Sequence, residues 1–189
     1  MFNFNDNHFL LTGDLEQKGE QALADYYDGS TAEKTLPHVK LFKAGHHGSK
    51  TSSNDCLLSK ITPEICCVCC CAGGSEYTNV SNNTFPTQEF IDRIKVYTDS
   101  VYVISQIDEE KSKEQNEVVF KPLNGTITVS CNGTDIGLSF TNSDKKLKDS
   151  DWFNEDVYLI DGKICSGKNK NDFYTKDIEN AIKTKRRTW

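Results

Sequence analysis

The chain has 189 residues, of which 36% are hydrophobic and 26% are charged, enough for one compact domain with its own core. A formal net charge of -6 does not indicate nucleic acid as a partner, and no stretch reaches the ~18 apolar residues that a membrane span needs. The first residues lack a basic start followed by an apolar segment, so we expect neither export nor a membrane partner. We interpret the short basic run at residues 183–187 as a solvated end.

Alternating apolar runs and turn residues predict strands and helices in turn through the first hundred residues. The predicted strands cover residues 9–12, 39–44, 65–72 and 101–104, and the predicted helices cover residues 15–27, 54–60 and 90–97. Residues 2–4 and the turn at residues 5–7 resemble the end of a further strand in a hairpin. We interpret residues 75–84 as a long loop. This order indicates a layered α/β sheet.

The second half of the chain is more polar. Residues 108–116 are highly charged and predict a mobile surface loop. Asn132 and Gly133 lie between two alternating segments, residues 125–130 and 136–140, which predicts an antiparallel hairpin with a tight turn. A short strand at residues 157–160 and a final helix near residues 175–183 complete the prediction.

The cysteines allow two interpretations. Five of the eight lie in the run CCVCCC, where Cys66 with Cys69 and Cys67 with Cys70 have the C-x-x-C spacing of metal sites. The run also has the length and position of a buried strand, and we favour that interpretation, with cysteines acting as small hydrophobes. Adjacent free thiols suit a reducing compartment, so we expect a cytoplasmic location.

A candidate site follows the first two predicted strands. Asp14 comes after the first strand, and His46 and His47 come after the second, flanked by Gly45 and Gly48. In α/β sheets ligands bind at the carboxyl edge, and carboxylate with imidazole suits zinc, manganese or iron. Two simpler interpretations stay open, since Asp14 could cap the following helix and paired histidines in a loop are often ordinary surface residues.

Residues 12–16 (TGDLE) and 43–52 (KAGHHGSKTS) resemble motifs of the metallo-β-lactamase superfamily. The similar branch contains the soluble hydrolase domain of bacterial competence DNA-uptake channels. The resemblance implies an αββα sandwich, here its carboxyl-terminal half over residues 1–141 with an added antiparallel hairpin. Residues 142–189 would form a polar carboxyl-terminal extension.

The resemblance also implies roles for the candidate residues. Asp14 would bridge two metal ions, zinc or alternatively manganese, and one histidine of the HHGS motif would belong to the site. The choice between His46 and His47 stays open, while Ser49 would hold the loop by hydrogen bonds. The implied reaction is attack of metal-activated water on an ester, phosphoester or amide of a small molecule.

Two departures from the family pattern limit what we expect. The chain has four histidines and no His-x-His-x-Asp-His motif, and Tyr77 with residues 84–86 (TFP) replaces the Tyr-Gly-His-Pro segment of many relatives. We therefore expect the carboxyl-terminal part of a hydrolase, inactive until another polypeptide completes the site. The alternative is a non-catalytic module that binds proteins or forms a homo-oligomer through its first strand.

Overall fold

The computed structural model describes residues 1–74 and 84–154, together with the backbone of two short paired strands, β9 (Leu159–Ile160) and β10 (Lys163–Ile164). Four sequence predictions lie wholly or largely outside the described residues. They concern the loop at residues 75–84, the start of the strand at residues 157–160, the final helix and the basic end.

Six strands form the central sheet in the order β1-β2-β3-β4-β5-β6. Strands β2 to β5 run parallel to one another, and β1 and β6 pair antiparallel at the two edges. The strands are β1 (Phe2–Phe4), β2 (Asn7–Leu11), β3 (Leu41–Lys43), β4 (Ile65–Ala72), β5 (Val101–Ile107) and β6 (Phe120–Pro122).

Helices α1 (Gln17–Tyr26), α2 (Asp55–Ile61) and α3 (Gln88–Ile94) connect the parallel strands in turn. The register places one row of side chains across four strands, Leu10, Phe42, Cys66 and Val101. All four are buried in the same hydrophobic core as the apolar residues of α2 and α3. Parallel strands with helical connections, each contributing buried side chains, confirm the predicted mixed α/β fold.

Strands β7 (Ile127–Cys131) and β8 (Ile136–Phe140) form the predicted antiparallel hairpin. The Phe140 ring packs 5.0 Å from the Tyr102 ring of β5, and Tyr102 neighbours the core residue Val101. Because successive strand residues point to opposite faces, Phe140 contacts the sheet on the face away from that core. At the other end, the carbonyl oxygen of Gly133 accepts hydrogen bonds from the side-chain amides of Asn5 (3.2 Å) and Asn7 (3.1 Å).

The prediction of a mobile loop at residues 108–116 is wrong, because helix α4 (Glu109–Gln115) occupies the segment. Asp108 caps it, since its carboxylate oxygen accepts a hydrogen bond from the Lys111 N–H at 3.2 Å. Ser112 is fully buried and exchanges hydrogen bonds with the backbone of Val119. The cap and this tertiary contact hold a segment whose composition alone indicates disorder.

Strand β4 covers residues 65–72 as predicted. Cys66, Cys67 and Cys70 are buried in it, Cys69 is exposed, and the seven cysteines within the described residues form no disulfides. No group of three possible metal ligands occurs among the residues that the structure describes, so neither C-x-x-C pair belongs to a metal-binding cluster there. The core-strand interpretation of CCVCCC is confirmed.

Residues beyond the hairpin also contribute to the core. A short 3₁₀ turn (Leu147–Asp149) precedes helix α5 (Asp151–Asn154), and Leu147, Trp152 and Phe153 join the same hydrophobic core as the sheet. The predicted boundary between a domain at residues 1–141 and an extension at residues 142–189 stays a prediction.

No helix among the described residues combines the length and the apolar character that crossing a bilayer requires.

Candidate functional site

The two candidate loops emerge at one edge of the sheet. Strands β2 and β3 are parallel, with Leu11 beside Lys43, so the segments that follow them leave the sheet in the same direction. The backbones of the two loops are joined directly, because the His46 N–H donates to the Gly13 carbonyl oxygen at 2.9 Å. A second bond runs from the Gln17 N–H to the Thr51 carbonyl oxygen at 3.0 Å.

Asp14 is exposed and lies in the turn between β2 and α1. The residue at the N-cap position of α1 is Glu16, whose side chain makes no capping hydrogen bond. The interpretation of Asp14 as a helix cap is therefore wrong. Asp14 follows Gly13, whose carbonyl oxygen is bonded to the HHGS loop, and its role as a metal ligand stays a prediction.

His46 and His47 both have left-handed backbone conformations, with φ of 44° and 57°. Each such conformation costs a residue with a β-carbon roughly 1–2 kcal/mol, and strain of this kind is concentrated at functional sites. The two rings lie 6.3 Å apart between centroids, at an interplanar angle of 64°. They are half-buried and point into different surroundings.

The His47 ring is oriented by the neighbouring strand. Its Nδ1 atom lies 2.6 Å from the carbonyl oxygen of Cys69 on β4. A carbonyl oxygen only accepts hydrogen bonds, so Nδ1 carries the hydrogen and, in the neutral ring, Nε2 carries the lone pair. Histidines that bind metals usually donate their other ring N–H to a carbonyl or carboxylate in this way.

The His46 ring instead faces a carboxylate. Its Nδ1 lies 3.6 Å from an oxygen of Glu16 and 3.5 Å from the Thr51 hydroxyl, which itself donates to Glu16 at 3.1 Å. Sequence reasoning assigned no role to Glu16, although the residue belongs to the TGDLE motif. The only feature of the sequence that indicated a role for Glu16 was its position two residues after Asp14.

The glycines of the motif allow close packing. Gly48 has φ of +79°, and a β-carbon there would lie 2.8 Å from the Cβ of Pro86. The Gly48 carbonyl oxygen accepts from both the backbone N–H (2.9 Å) and the hydroxyl (3.1 Å) of Thr87. At Gly45 a β-carbon would lie 3.0 Å from the Cβ of Ser52. The 3₁₀ turn Gly45–Gly48, here called the HHGS turn, is therefore packed against Pro86 and Thr87 at the start of α3 and against the loop residue Ser52.

Ser49, the last residue of the HHGS motif, is buried. Its N–H donates to the His46 carbonyl oxygen at 2.9 Å, which closes the turn, and its hydroxyl oxygen accepts from the Thr51 N–H at 3.3 Å. These bonds tie Ser49 to both sides of the loop.

The remaining two histidines lie elsewhere. His38 precedes β3, at the opposite edge of the sheet, and its ring bonds to Thr62 (2.9 Å) and Glu64 (2.7 Å). His8 bonds to Asn3 across the β1–β2 hairpin at 2.9 Å.

Two charged residues that sequence reasoning missed, Glu20 and Arg93, bind the loop that follows HHGS. The sequence signals these two residues only weakly: each is a charged residue placed among the apolar positions of its helix, Glu20 in α1 and Arg93 in α3.

The ligand set is incomplete for zinc within the part of the chain that the structure describes. No three side chains from His, Cys, Asp and Glu in residues 1–74 and 84–154 form a group that could hold a metal ion. A zinc site takes three or four protein ligands. These residues therefore do not complete such a site by themselves.

Comparison with known proteins finds two partial similarities. The chain is 42% identical to Recombination protein 2 of Haemophilus influenzae over 59 residues, which is 31% of this chain and 6% of that protein. It is 33% identical to Competence protein ComA of Neisseria gonorrhoeae over 88 residues, 47% of this chain and 11% of that protein. No family model and no solved structure matches. The chain thus spans a small part of the length of these relatives, and part of it is similar to Recombination protein 2 and to Competence protein ComA.

Proposed function

We propose that this chain is part of a competence-type protein and contributes half of the catalytic edge of a metallo-β-lactamase-type hydrolase. The observation that carries the proposal is the hydrogen bond from the His46 N–H to the Gly13 carbonyl oxygen, at the shared carboxyl edge of β2 and β3. It joins the turn that contains Asp14 to the loop that contains both histidines. The partial similarity to ComA and Recombination protein 2 supports the same proposal.

In this proposal Asp14 and His47 are metal ligands, and zinc or manganese is the metal. The His47 contact with the Cys69 carbonyl oxygen supports the choice of His47, because it leaves the lone pair on Nε2. His46, which faces Glu16, would contact the substrate, an ester or phosphoester. Gly45, Gly48 and Ser49 hold the loop in shape. A polypeptide that carries the His-x-His-x-Asp-His motif would supply the other ligands. A cytoplasmic location fits the free thiols.

Metal binding tests the proposal directly. Zinc and manganese affinity are measured by calorimetry for the wild type, Asp14→Asn and His47→Asn, since asparagine tolerates a left-handed backbone. His8→Asn is the matched control, because His8 lies in the β1–β2 hairpin and contacts Asn3. We expect weak binding that Asp14→Asn and His47→Asn abolish and the control retains. Equal binding by all four proteins would contradict the proposal.

Activity provides a second test of the same idea. A phosphodiesterase assay compares the chain alone with the chain mixed with a polypeptide that carries the His-x-His-x-Asp-His motif. We expect turnover only in the mixture. Robust turnover by the chain alone would show that it does not need a second polypeptide.

A second candidate function rests on the exposed edge strand. In β1 the side chains of Phe2 and Phe4 are 67% and 50% exposed, and Leu11 of the neighbouring strand is 50% exposed. An open apolar edge can pair with another strand, so the chain would be a non-catalytic module that forms a homodimer. Sedimentation velocity on the wild type and Phe2→Lys tests this. A monomeric wild type, or a dimer that Phe2→Lys leaves intact, would eliminate this interface.

A further inference from the structure

The segment Ser49 to Asn54, here called the connecting loop, joins the HHGS turn to α2. Two charged side chains from different helices bind its backbone, Glu20 from α1 and Arg93 from α3. Neither residue belongs to the TGDLE or KAGHHGSKTS segment. Together they determine how the connecting loop leaves the candidate site.

Glu20 is fully buried, and both of its carboxylate oxygens are used. One oxygen accepts from the Ser53 N–H at 2.6 Å, and the other accepts from the N–H (2.8 Å) and the side-chain amide (2.7 Å) of Asn54. A buried carboxylate costs several kcal/mol unless donors surround it. The three donors of the loop thus require a side chain that accepts hydrogen bonds at both of its terminal atoms, as a carboxylate does.

Arg93 binds the carbonyl side of the same loop. Its Nε donates to the Ser53 carbonyl oxygen at 2.9 Å, and one Nη donates to the carbonyl oxygens of Ser52 (2.9 Å) and Lys50 (3.1 Å). A longer contact of 3.5 Å reaches the Ser49 carbonyl oxygen. The fixed fork of a guanidinium can serve several carbonyl groups at once, whereas an ammonium is a single point donor.

Ser53 connects these contacts to the motif. Its N–H is held by Glu20 and its carbonyl oxygen by Arg93, and its backbone has φ of +58°, which is unusual for serine. The Ser53 hydroxyl oxygen then accepts from the Gly45 N–H at 3.0 Å. Gly45 is the first residue of the HHGS turn, in which both histidines also have left-handed conformations.

We propose that Glu20 and Arg93 are positioning residues that act through Ser53 to set the HHGS turn, and with it the orientation of the His46 and His47 rings. A role of Glu20 and Arg93 in catalysis rests on the proposed hydrolase function, but their effect on the shape of the HHGS turn does not depend on it. Both side chains bind the connecting loop, and the Ser53 hydroxyl of that loop bonds to Gly45, so their effect on Gly45 passes through the loop.

The experiment compares the metal-free wild type with Glu20→Gln, Arg93→Lys and Ser53→Ala. Glu89→Gln is the matched control, because Glu89 is an exposed glutamate at the start of α3. Hydrogen exchange of the Gly45 amide and ¹⁵N spectra of the two imidazole rings are recorded for each protein. Ser53→Ala removes one hydroxyl and is the variant that retains the test should a charge variant fail to fold.

We expect the Gly45 amide to exchange roughly tenfold faster in Ser53→Ala, the factor for loss of one hydrogen bond. Glu20→Gln and Arg93→Lys should also accelerate Gly45 exchange and shift the imidazole signals, and Glu89→Gln should do neither. A purely structural role for Glu20 and Arg93 would accelerate exchange at Ser53, Asn54 and α2 only. Unchanged Gly45 exchange and imidazole signals in both Glu20→Gln and Arg93→Lys, or unchanged Gly45 exchange in Ser53→Ala, would overturn the proposal.

A zinc titration of the wild type separates the two proposals. Imidazole signals that do not respond to zinc contradict the hydrolase proposal, whatever the exchange data show. Exchange and imidazole shifts that follow Glu20, Arg93 and Ser53 support the positioning role, whatever zinc does.

Discussion

Replacing Gly48 with alanine would separate the cost of a left-handed backbone from the cost of crowding at the HHGS turn. Gly48 has φ of +79°, and a new β-carbon would lie 2.8 Å from Pro86 Cβ, 3.2 Å from Val68 Cγ1 and 3.3 Å from Phe90 Cδ1. Val68 and Phe90 are fully buried on β4 and α3, so neither can move without disturbing the core. The substitution therefore combines backbone strain with overpacking.

Two terms give the expected size of the effect. The left-handed conformation costs alanine roughly 1–2 kcal/mol relative to glycine. Overpacking of a dense core typically adds about 1–3 kcal/mol. We expect Gly48→Ala to lower the free energy of unfolding by about 1–4.5 kcal/mol, allowing for the reduced entropy of the unfolded chain.

Gly29 provides the matched control. It has φ of +80°, and nothing lies within 4 Å of a β-carbon built there. Gly29→Ala should therefore carry the backbone cost alone, at most roughly 1–2 kcal/mol. Urea unfolding followed by far-UV circular dichroism gives both values from the shift in midpoint at constant slope. Equal destabilisation by the two variants would refute the packing argument for Gly48.

Three further predictions concern other parts of the fold. Burial raises the pKa of Cys67 to about 12, with a smaller contribution from Cys69, so native labelling with iodoacetamide at pH 8 should modify the exposed Cys69 and spare Cys67 until the protein unfolds. Hydrogen bonds from two lysines lower the pKa of Asp99 from 3.8 to about 2, so its stabilising effect is complete above pH 4 and is lost as pH falls towards 2. Because Asp99 is nearly half exposed, Asp99→Asn should cost under about 1 kcal/mol at pH 7 and almost nothing at pH 2, measured by urea unfolding. Asp108→Ala removes the cap of α4 and should destabilise the protein by roughly 1 kcal/mol.

Each of these predictions has a clear contrary result. Labelling of Cys67 as fast as Cys69 would mean that β4 is not buried as described. A loss of stability from Asp99→Asn that is the same at pH 2 and pH 7 would exclude the lysine contacts as its cause. Unchanged stability in Asp108→Ala, with Glu110→Ala as a control in the same first turn, would mean that the cap does not stabilise α4.

Local patterns in the sequence were sufficient for several elements. Strand β4 could be predicted to its end residues, because the short apolar run between Pro63 and Gly73 has the length and position of a buried strand. The hairpin could be predicted because the Asn132-Gly133 pair favours the left-handed conformations of a tight turn. The parallel order of β2 and β3 then allowed Asp14 and the HHGS loop to be expected at one edge of the sheet.

The sequence by itself thus determined the order of the elements as far as β5 and the residue types at the candidate site, since both depend on neighbours within a few positions. Only the tertiary structure decided that α4 is a helix, that Glu16 faces His46, and that Glu20 and Arg93 hold the connecting loop. A charged side chain is stable when buried only if distant residues supply its partners. That information lies in contacts between residues some thirty to forty positions apart, such as Glu20 with Ser53 and Arg93 with Ser53, and local periodicity does not contain it.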